Sequence, residues 1–268
     1  MPLLSLEDNA RMVYHEAAKK AILYTPILYV PSEKGAGSIE AAGSGIFFRR
    51  DGHLLLLTAG HCIKQNGQII KTGVLDGREF HRLQGEAMVV PGGENKIDLG
   101  IVRLSKPSKE VCLRNYAFLD DTQRVNNRGI TGEPAYLVVG HPISKVSIDH
   151  RKKSIKTEPF AYVAQSTEAF KLEKYNFLQA QHLALGFDRR RSTVMGSNIM
   201  SYSPYPQGIS GCGVWYIPDY FIDDAQVVQP KLAAIIIEYY ENHRVLIATK
   251  FDVVDYLLRI FVTGKEPL

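Results

Sequence analysis

The stretch 206-PQGISGCGVW-215 places one serine, Ser210, in a glycine-rich turn that leads into an apolar run. A serine hydroxyl is a weak nucleophile until a neighbouring base takes its proton, so a catalytic serine needs partners from elsewhere in the chain. Glycines beside the serine allow backbone N–H groups to approach one point without a Cβ atom in the way. We therefore predict that the N–H groups of Gly208 and Ser210 form an oxyanion hole for an acyl carbon under attack by Ser210.

Two further motifs supply the partners that such a serine needs. In 57-LTAGHC-62 an apolar strand ends in small residues and presents His61. In 97-IDLGIV-102, Asp98 stands directly before an apolar strand. An imidazole accepts the serine proton, and a carboxylate behind it fixes the tautomer and stabilises the imidazolium. The predicted catalytic triad is therefore His61, Asp98 and Ser210, for which no metal ion or organic cofactor is expected.

The rest of the chain has the pattern of a β-protein with a helix at each end. Short apolar runs separated by Gly, Pro, Asn and Asp fall into two groups of about six, on either side of a polar stretch. Helical spacing of apolar residues predicts an N-terminal helix over 5–22 and a C-terminal helix over 252–262, which Asp252 would cap. Met12, His15, Ala18 and Ile22 would share one face of the first helix. The predicted strands are 25–30, 45–49, 53–58, 68–75, 86–90 and 99–104, then 134–140, 159–164, 177–182, 213–217, 232–239 and 244–250.

This order predicts an all-β protein of two packed six-stranded antiparallel β-barrels, with an N-terminal and a C-terminal helix. The predicted divisions are a helical extension (1–22), a first barrel with His61 and Asp98 (23–120), a linker (121–131) and a second barrel with Ser210 and the last helix (132–268).

The three motifs together resemble those of the chymotrypsin/trypsin-like serine proteases. TAGHC (58–62) is similar to TAAHC of that family, DLGIVRL (98–104) to its DIALL element, and GISGCG (208–213) to its GDSGG motif. The resemblance covers roughly residues 23–262 and implies the double barrel, the triad and hydrolysis of peptide bonds in a protein or peptide substrate. Trypsin has no counterpart of the N-terminal helix, and together with the departures described next this looks like the intracellular bacterial branch of the superfamily.

Departures from the family pattern concern a disulfide, activation and the primary pocket. In secreted members the cysteine after the catalytic histidine forms a disulfide with a cysteine just before the strand that carries a Gly-Ser-Gly sequence, which is 43–45 here. In this chain residues 40–43 read EAAG, so Cys62 is expected to be unpaired. Ile209 replaces the aspartate that receives a newly cut N-terminus in secreted members, so activity is expected to be constitutive or controlled by a partner or ligand. Pro204 stands where trypsin has the aspartate of its primary pocket, so no preference for Lys or Arg is implied.

Composition and the distribution of cysteines limit the cellular locations and the classes of partner that we expect. The 268 residues include 32 basic and 28 acidic ones, and a net charge of +4 gives no reason to expect nucleic acid or an anionic membrane. The N-terminus lacks a secretory pattern, the apolar runs are too short to span a bilayer, and the three cysteines are odd in number and widely spaced. A cytoplasmic location is therefore expected, and with it a narrow protein substrate and a regulatory protein partner.

Several residues, and the function of the whole protein, have competing interpretations. Ser44, in a Gly-Ser-Gly, is interpreted as tight packing beside the histidine loop rather than as a nucleophile. Cys212 is interpreted as a small buried residue rather than as a nucleophile or redox switch. A silent or latent protease fold that binds a protein partner is the main alternative function, and an esterase with the same triad is a third. The histidines expected at the surface or in turns are His15, His53, His81, His141, His150, His182 and His243.

Overall fold

Short antiparallel β-strands and a few helices account for most of the chain. The computed structural model describes residues 6–32, 38–65, 68–69, 72–77, 79–93, 96–125, 130, 134–149, 154–193, 200–201, 203–218 and 228–264. The helices are α1 (Leu6–Ile22), α2 (Gly60–Ile63), α3 (Lys106–Asn115) and α4 (Phe251–Thr263). The strands are β1 (Ile27–Pro31), β2 (Ile39–Ser44), β3 (Ile46–Arg50), β4 (His53–Ala59), β5 (Lys64–Gln65), β6 (Gln68–Ile69), β7 (Gly73–Asp76), β8 (Glu79–Arg82), β9 (Gly85–Val90), β10 (Leu99–Leu104), β11 (Ala135–Gly140), β12 (Val146–Asp149), β13 (Ser154–Thr157), β14 (Phe160–Gln165), β15 (His182–Gly186), β16 (Ser192–Thr193), β17 (Met200–Ser201), β18 (Gly213–Tyr216), β19 (Lys231–Tyr240) and β20 (Val245–Lys250).

The run of four leucines in β4 shows how the apolar sequence builds this core. Successive side chains of a strand point to opposite faces, so a strand that is buried on both faces needs a continuous apolar run. Leu54 and Leu56 pack into one apolar cluster, whereas Leu55 and Leu57 pack into another. Strand β4 is therefore buried on both faces, and its packing fixes the position of the histidine motif at its C-terminal end.

The first barrel is a ring that runs through two four-stranded sheets, of order β2-β1-β7-β8 and β3-β4-β10-β9. Strand β2 continues into β3 through Gly45, and β8 continues into β9 after two residues, so each forms one long bent strand shared by both sheets. At the second bend Gly85 has φ +150°, and a Cβ atom there would lie 1.8 Å from the Arg103 carbonyl oxygen. With each bent pair counted once, the described residues give the six-stranded ring that the sequence predicts.

The second barrel is a single six-stranded sheet of order β14-β11-β18-β19-β20-β15. An antiparallel bridge between Ser166 and Leu185 joins the two edge strands. The predicted all-β fold of two antiparallel barrels with a helix at each end is therefore confirmed. The domain boundaries drawn from the sequence stay a prediction, and residues 126–129 and 131–133 of the linker lie outside the described residues.

Both terminal helices contribute to the core that the two barrels share. That core combines side chains of β4 and β10 with those of β11 and β18, and α1 and α4 add to it. The predicted face of α1 is only partly confirmed: Ala18 is buried and Ile22 packs against the core, but Met12 is 45 % exposed. The fully buried side chains of the helix are Val13, Ala17 and Ala21.

Two local predictions are wrong, and a helix was not predicted. The strand predicted over 177–182 starts only at His182, because the N–H groups of Gln181 and His182 both donate to the Leu178 carbonyl at 2.9 Å and fold this segment into a turn. Helix α3 was not predicted, although Ser105 and Pro107 stand at its start, as helix N-termini favour. Asp252 is not the cap of α4, which begins one residue earlier after Lys250 and has no side-chain cap.

Candidate active site

His61 lies on a single helical turn directly after strand β4. The strand ends at Ala59 and α2 begins at Gly60, so the chain changes direction where the histidine is presented. A Cβ atom at Gly60 would lie 2.7 Å from Asp98 Oδ1, which explains the glycine. The His61 side chain is 50 % exposed, so the ring is open to a substrate.

Asp98 holds His61 through both of its carboxylate oxygens. Oδ2 lies 2.6 Å from His61 Nδ1, and Oδ1 accepts the backbone N–H of His61 at 3.1 Å. With Nδ1–H donating to the carboxylate, Nε2 is the nitrogen left to accept a proton. The hydrogen bond to the Asp98 carboxylate also raises the pKa of the His61 imidazole above its ordinary value, because it stabilises the charged ring. The structure thus brings together the predicted base and acid of the triad.

Three consecutive carbonyl groups fix the segment that presents Asp98. The Asp98 carbonyl accepts the N–H of Gly60 at 2.9 Å, the Ile97 carbonyl accepts the Thr249 hydroxyl at 2.7 Å, and the Lys96 carbonyl lies 3.1 Å from His182 Nε2. Lys96 and Asp98 both have positive φ, +47° and +41°, which side-chain-bearing residues rarely adopt. These bonds, two of them from the second barrel, hold the segment in that conformation.

His182 is a correction to the sequence interpretation, since it is 1 % exposed rather than at the surface. Burial lowers the pKa of His182, which favours the neutral ring. Nε2–H then donates to the Lys96 carbonyl, and Nδ1 accepts the N–H of Leu178 at 3.2 Å. His141 is also buried, at 7 %, with Nε2 3.2 Å from the Thr25 carbonyl, and burial lowers its pKa to about 4.

The backbone of Ser210 is held against the histidine helix. Its carbonyl accepts the Ser44 N–H at 2.9 Å and faces the Cys62 thiol, whose Sγ lies 3.6 Å away. The next residue, Gly211, has φ +87°, and a Cβ atom there would lie 2.1 Å from Thr58 Oγ1. Ser210 is therefore next to α2, as the triad requires. Within the described residues, no hydrogen bond joins the Ser210 hydroxyl to the His61 ring.

The turn before Ser210 has the conformation of a type II turn. Ile209 N–H donates to the Pro206 carbonyl at 3.1 Å, and Gly208, at the third position of this turn, has φ +93°. Positive φ at that position selects glycine. A Cβ atom at Gly208 would in addition lie 2.6 Å from the Ile143 side chain.

Two carbonyl contacts fix the direction of both predicted oxyanion donors. The Gln207 carbonyl accepts the N–H of Ile143 at 2.8 Å, and the Ile209 carbonyl accepts the N–H of Cys212 at 2.9 Å. In a trans peptide the N–H points away from the C=O, so the N–H groups of Gly208 and Ser210 point away from these partners. Neither of the two donates to any acceptor in the described part of the chain. Unpaired backbone donors beside a serine are the groups that bind a developing oxyanion.

The cysteines and Ser44 are too buried to act as nucleophiles. Cys62, Cys112 and Cys212 are all free and buried, and Ser44 and Cys212 are both 0 % exposed. Burial raises the pKa of Cys112 to about 12 and raises the pKa of Cys212 as well. The interpretations of Cys212 as a small buried residue and of Cys62 as an unpaired cysteine are confirmed.

The described residues contain no cluster of three or more His, Cys, Asp or Glu side chains that could hold a metal ion. In the same part of the chain, no helix is long and apolar enough to cross a membrane.

Comparison with known proteins finds likeness at the level of structure. No family model matches the chain, and no curated protein sequence matches it. Kallikrein-related peptidase 10, solved in complex with Zn²⁺, matches with a TM-score of 0.51 at 12% identity, covering 93% of this chain and 98% of that one. Neuropsin, a serine protease of mouse brain, matches with a TM-score of 0.51 at 15% identity, covering 93% and 96%. A structure described as GrC matches with a TM-score of 0.53 at 13% identity, covering 89% of this chain and 94% of that one. These likenesses show that the chain has the chymotrypsin-like double-barrel fold.

Proposed function

We propose that this protein is a serine endopeptidase that hydrolyses peptide bonds through Ser210, His61 and Asp98. The observation that carries the proposal is the pair of hydrogen bonds between His61 and Asp98. His61 Nδ1 lies 2.6 Å from Asp98 Oδ2, and the His61 backbone N–H donates to Oδ1. The Ser210 carbonyl is bonded to Ser44 and faces Cys62, the residue next to His61, which supports the third member of the triad. The double-barrel fold supports the same reaction class.

The proposed reaction is acyl transfer in two halves. Ser210 Oγ attacks the peptide carbonyl while His61 Nε2 takes the hydroxyl proton, and the N–H groups of Gly208 and Ser210 bind the oxyanion. When the tetrahedral intermediate collapses, the C–N bond breaks and His61 gives its proton to the leaving amine. Water then attacks the acyl-enzyme by the same path, with His61 as base, and releases the acid and free Ser210. Asp98 keeps the ring oriented and stabilises its charged form throughout.

We also propose that the oxyanion turn forms without proteolytic activation. Ile209 stands where an activating aspartate would be, and it is 1 % exposed within the apolar core of the second barrel. Apolar burial of Ile209 and the Pro206–Ile209 hydrogen bond support a turn that is already in place. Activity is then constitutive or set by a protein partner, and the natural substrate is a narrow set of cytoplasmic proteins.

A second candidate function is a latent protease fold that binds a protein partner. The observation that favours it is the lack, among the described residues, of a hydrogen bond between Ser210 and His61. In that case the partner would bring the two side chains together.

Cleavage of casein or of a peptide library tests the proposal against this alternative. Wild type and Ser147→Ala, which alters an exposed serine on β12, are expected to cleave, whereas Ser210→Ala and His61→Ala are expected not to. Cleavage that persists in Ser210→Ala would reject the proposed function. Folded wild type that cleaves nothing would favour the binding module.

A further inference from the structure

Ser44, the last residue of β2, contacts both residues whose N–H groups are the predicted oxyanion donors. Its backbone N–H donates to the Ser210 carbonyl at 2.9 Å, and its hydroxyl donates to the Gly208 carbonyl at 3.0 Å. Ser44 belongs to the first barrel, whereas Gly208 and Ser210 belong to the turn of the second. One buried serine thus bonds across the barrel interface to Gly208 within that turn and to Ser210 directly after it.

The Ser44 hydroxyl also accepts a hydrogen bond from the opposite side. The backbone N–H of His141 lies 3.2 Å from Ser44 Oγ. Two residues further on, Ile143 N–H binds the Gln207 carbonyl at 2.8 Å, which is the contact that directs the N–H of Gly208. A hydroxyl has one proton to donate and lone pairs to accept with, so both bonds form at once. Ser44 therefore joins the oxyanion turn to the segment that anchors it.

Ser44 itself is fixed and excluded from water. It is 0 % exposed, and its own carbonyl accepts the Thr58 hydroxyl at 2.7 Å. Because Ser44 is fully buried, removal of its hydroxyl would leave the Gly208 carbonyl and the His141 N–H without this partner, at the cost of two buried hydrogen bonds. Without these bonds the Gly208–Ile209 peptide and the segment that carries Ile143 are held less firmly, and so is the Gly208 N–H, which the contact between Ile143 and Gln207 directs toward the anion site.

We propose that the Ser44 side chain is a positioning group for oxyanion binding, which acts by holding the Gly208 carbonyl and the His141 N–H together. The inference rests on the proposed function for its catalytic consequence, but its structural content can be measured without activity. The matched control is Ser108→Ala, since Ser108 of α3 is also buried. Its hydroxyl also accepts a backbone N–H, which Gln84 donates at 2.8 Å.

The test combines amide hydrogen exchange with phosphonylation kinetics in Ser44→Ala and Ser108→Ala. In Ser44→Ala the N–H groups of Ile209 and Ile143 are expected to exchange faster, because the turn and its anchor loosen. Phosphonylation by a fluorophosphonate is expected to slow about 10–100-fold, less than the loss of a whole oxyanion donor, and kcat for a peptide substrate should fall with KM little changed. Ser108→Ala is expected to show neither effect at a comparable loss of thermal stability.

Each outcome decides one of the two proposals. Exchange and phosphonylation that match those of Ser108→Ala would overturn the role of Ser44. Wild type that does not react with the probe would reject the proposed function, while the exchange data would still decide whether Ser44 holds the turn. If Ser44→Ala does not fold, Ser44→Cys keeps the size of the side chain with a weaker donor, and the same effects are expected at smaller amplitude.

Discussion

At the scale of single residues, the contact between His61 and Asp98 predicts the pH dependence of the proposed activity. A general base must be neutral, and the carboxylate raises the pKa of the imidazole, so activity should rise with pH on the alkaline side of the ordinary value near 6.5. The direction for stability follows from the same shift. The contact stabilises the fold fully below about pH 6.5, and that contribution is lost as pH rises through the higher pKa of the folded state.

Asp98→Asn tests this account, because it keeps the shape of the side chain and removes its charge. The pKa of His61, followed through its ring protons by NMR, is expected to fall toward the ordinary value. Phosphonylation should slow on the order of 10⁴-fold, the loss seen when this charge is removed from a Ser-His-Asp triad. The variant should also lose more thermal stability at pH 6 than at strongly alkaline pH. An unchanged His61 titration would show that Asp98 does not act on the ring.

Each member of the proposed triad lies in a short motif of its own, so the sequence alone indicates all three. The residues that contact the segments carrying the triad could not be predicted, since their partners are distant in sequence. Ser44 contacts Gly208, 164 residues away, and Thr249 contacts Ile97, 152 residues away. Nothing local to Ser44 or Thr249 specifies these contacts, which exist only once the two barrels have packed.

At the scale of elements, β2 and α2 lie close enough together for a disulfide to link them, although Cys62 of α2 is a free cysteine. A Cβ atom built on Gly43 lies 3.4 Å from Cys62 Cβ, close to the separation of about 3.5–4.5 Å found in disulfides. Gly43 is the last residue of the EAAG segment that replaces the family's cysteine position. The Cys62 thiol lies instead 3.6 Å from the Ser210 carbonyl oxygen.

Gly43→Cys is therefore expected to form a disulfide with Cys62 under oxidising conditions. Peptide mass spectrometry should find residues 43 and 62 linked, with Cys112 and Cys212 still free. Ala41→Cys adds a thiol elsewhere on the same strand and is expected to leave every thiol unpaired. Failure of Gly43→Cys to link in folded protein would mean that β2 and α2 are not in this register.

Prediction from sequence succeeded best for elements with strong apolar patterns. Strands β4 and β10 and helix α4 match their predictions to within a residue or two, because their burial requires continuous or helically spaced apolar residues. The segment 177–182 has an apolar start but becomes a turn, because the N–H groups of Gln181 and His182 donate to the Leu178 carbonyl and the Leu178 N–H donates to the His182 ring. Such a side-chain bond to the backbone has no signature in the apolar pattern.

At the scale of the whole molecule, a network of charges ties the first barrel to the last helix. Arg50, at the end of β3, is 6 % exposed, and its guanidinium lies 2.6 Å from Asp255 of α4. The same guanidinium binds Asp121, which lies on the segment leaving the first barrel. Arg124 and Arg259 complete the network around Asp255 at 3.7 and 3.0 Å. One buried cation thus joins three parts of the chain that are far apart in sequence.

Arg50→Ala is expected to lower the free energy of unfolding by about 3 kcal/mol, at the low end for breaking a buried ion pair, because Asp121 is half exposed. Chemical denaturation measures this loss. The matched control is Arg49→Ala, since Arg49 is the exposed neighbour on the same strand and its loss should change stability by less than about 0.5 kcal/mol. Equal effects of the two variants would show that the network does not hold the helix to the barrel.

Covalent labelling of the nucleophile decides whether Ser210, His61 and Asp98 form a working triad. Wild type, Ser210→Ala, His61→Ala and the control Ser147→Ala would be treated with a fluorophosphonate and digested, and the adduct located by peptide mass spectrometry. We expect one adduct, on Ser210, in wild type and in Ser147→Ala, and none in the two triad variants. Folded wild type without an adduct, or an adduct that persists in Ser210→Ala, would contradict it.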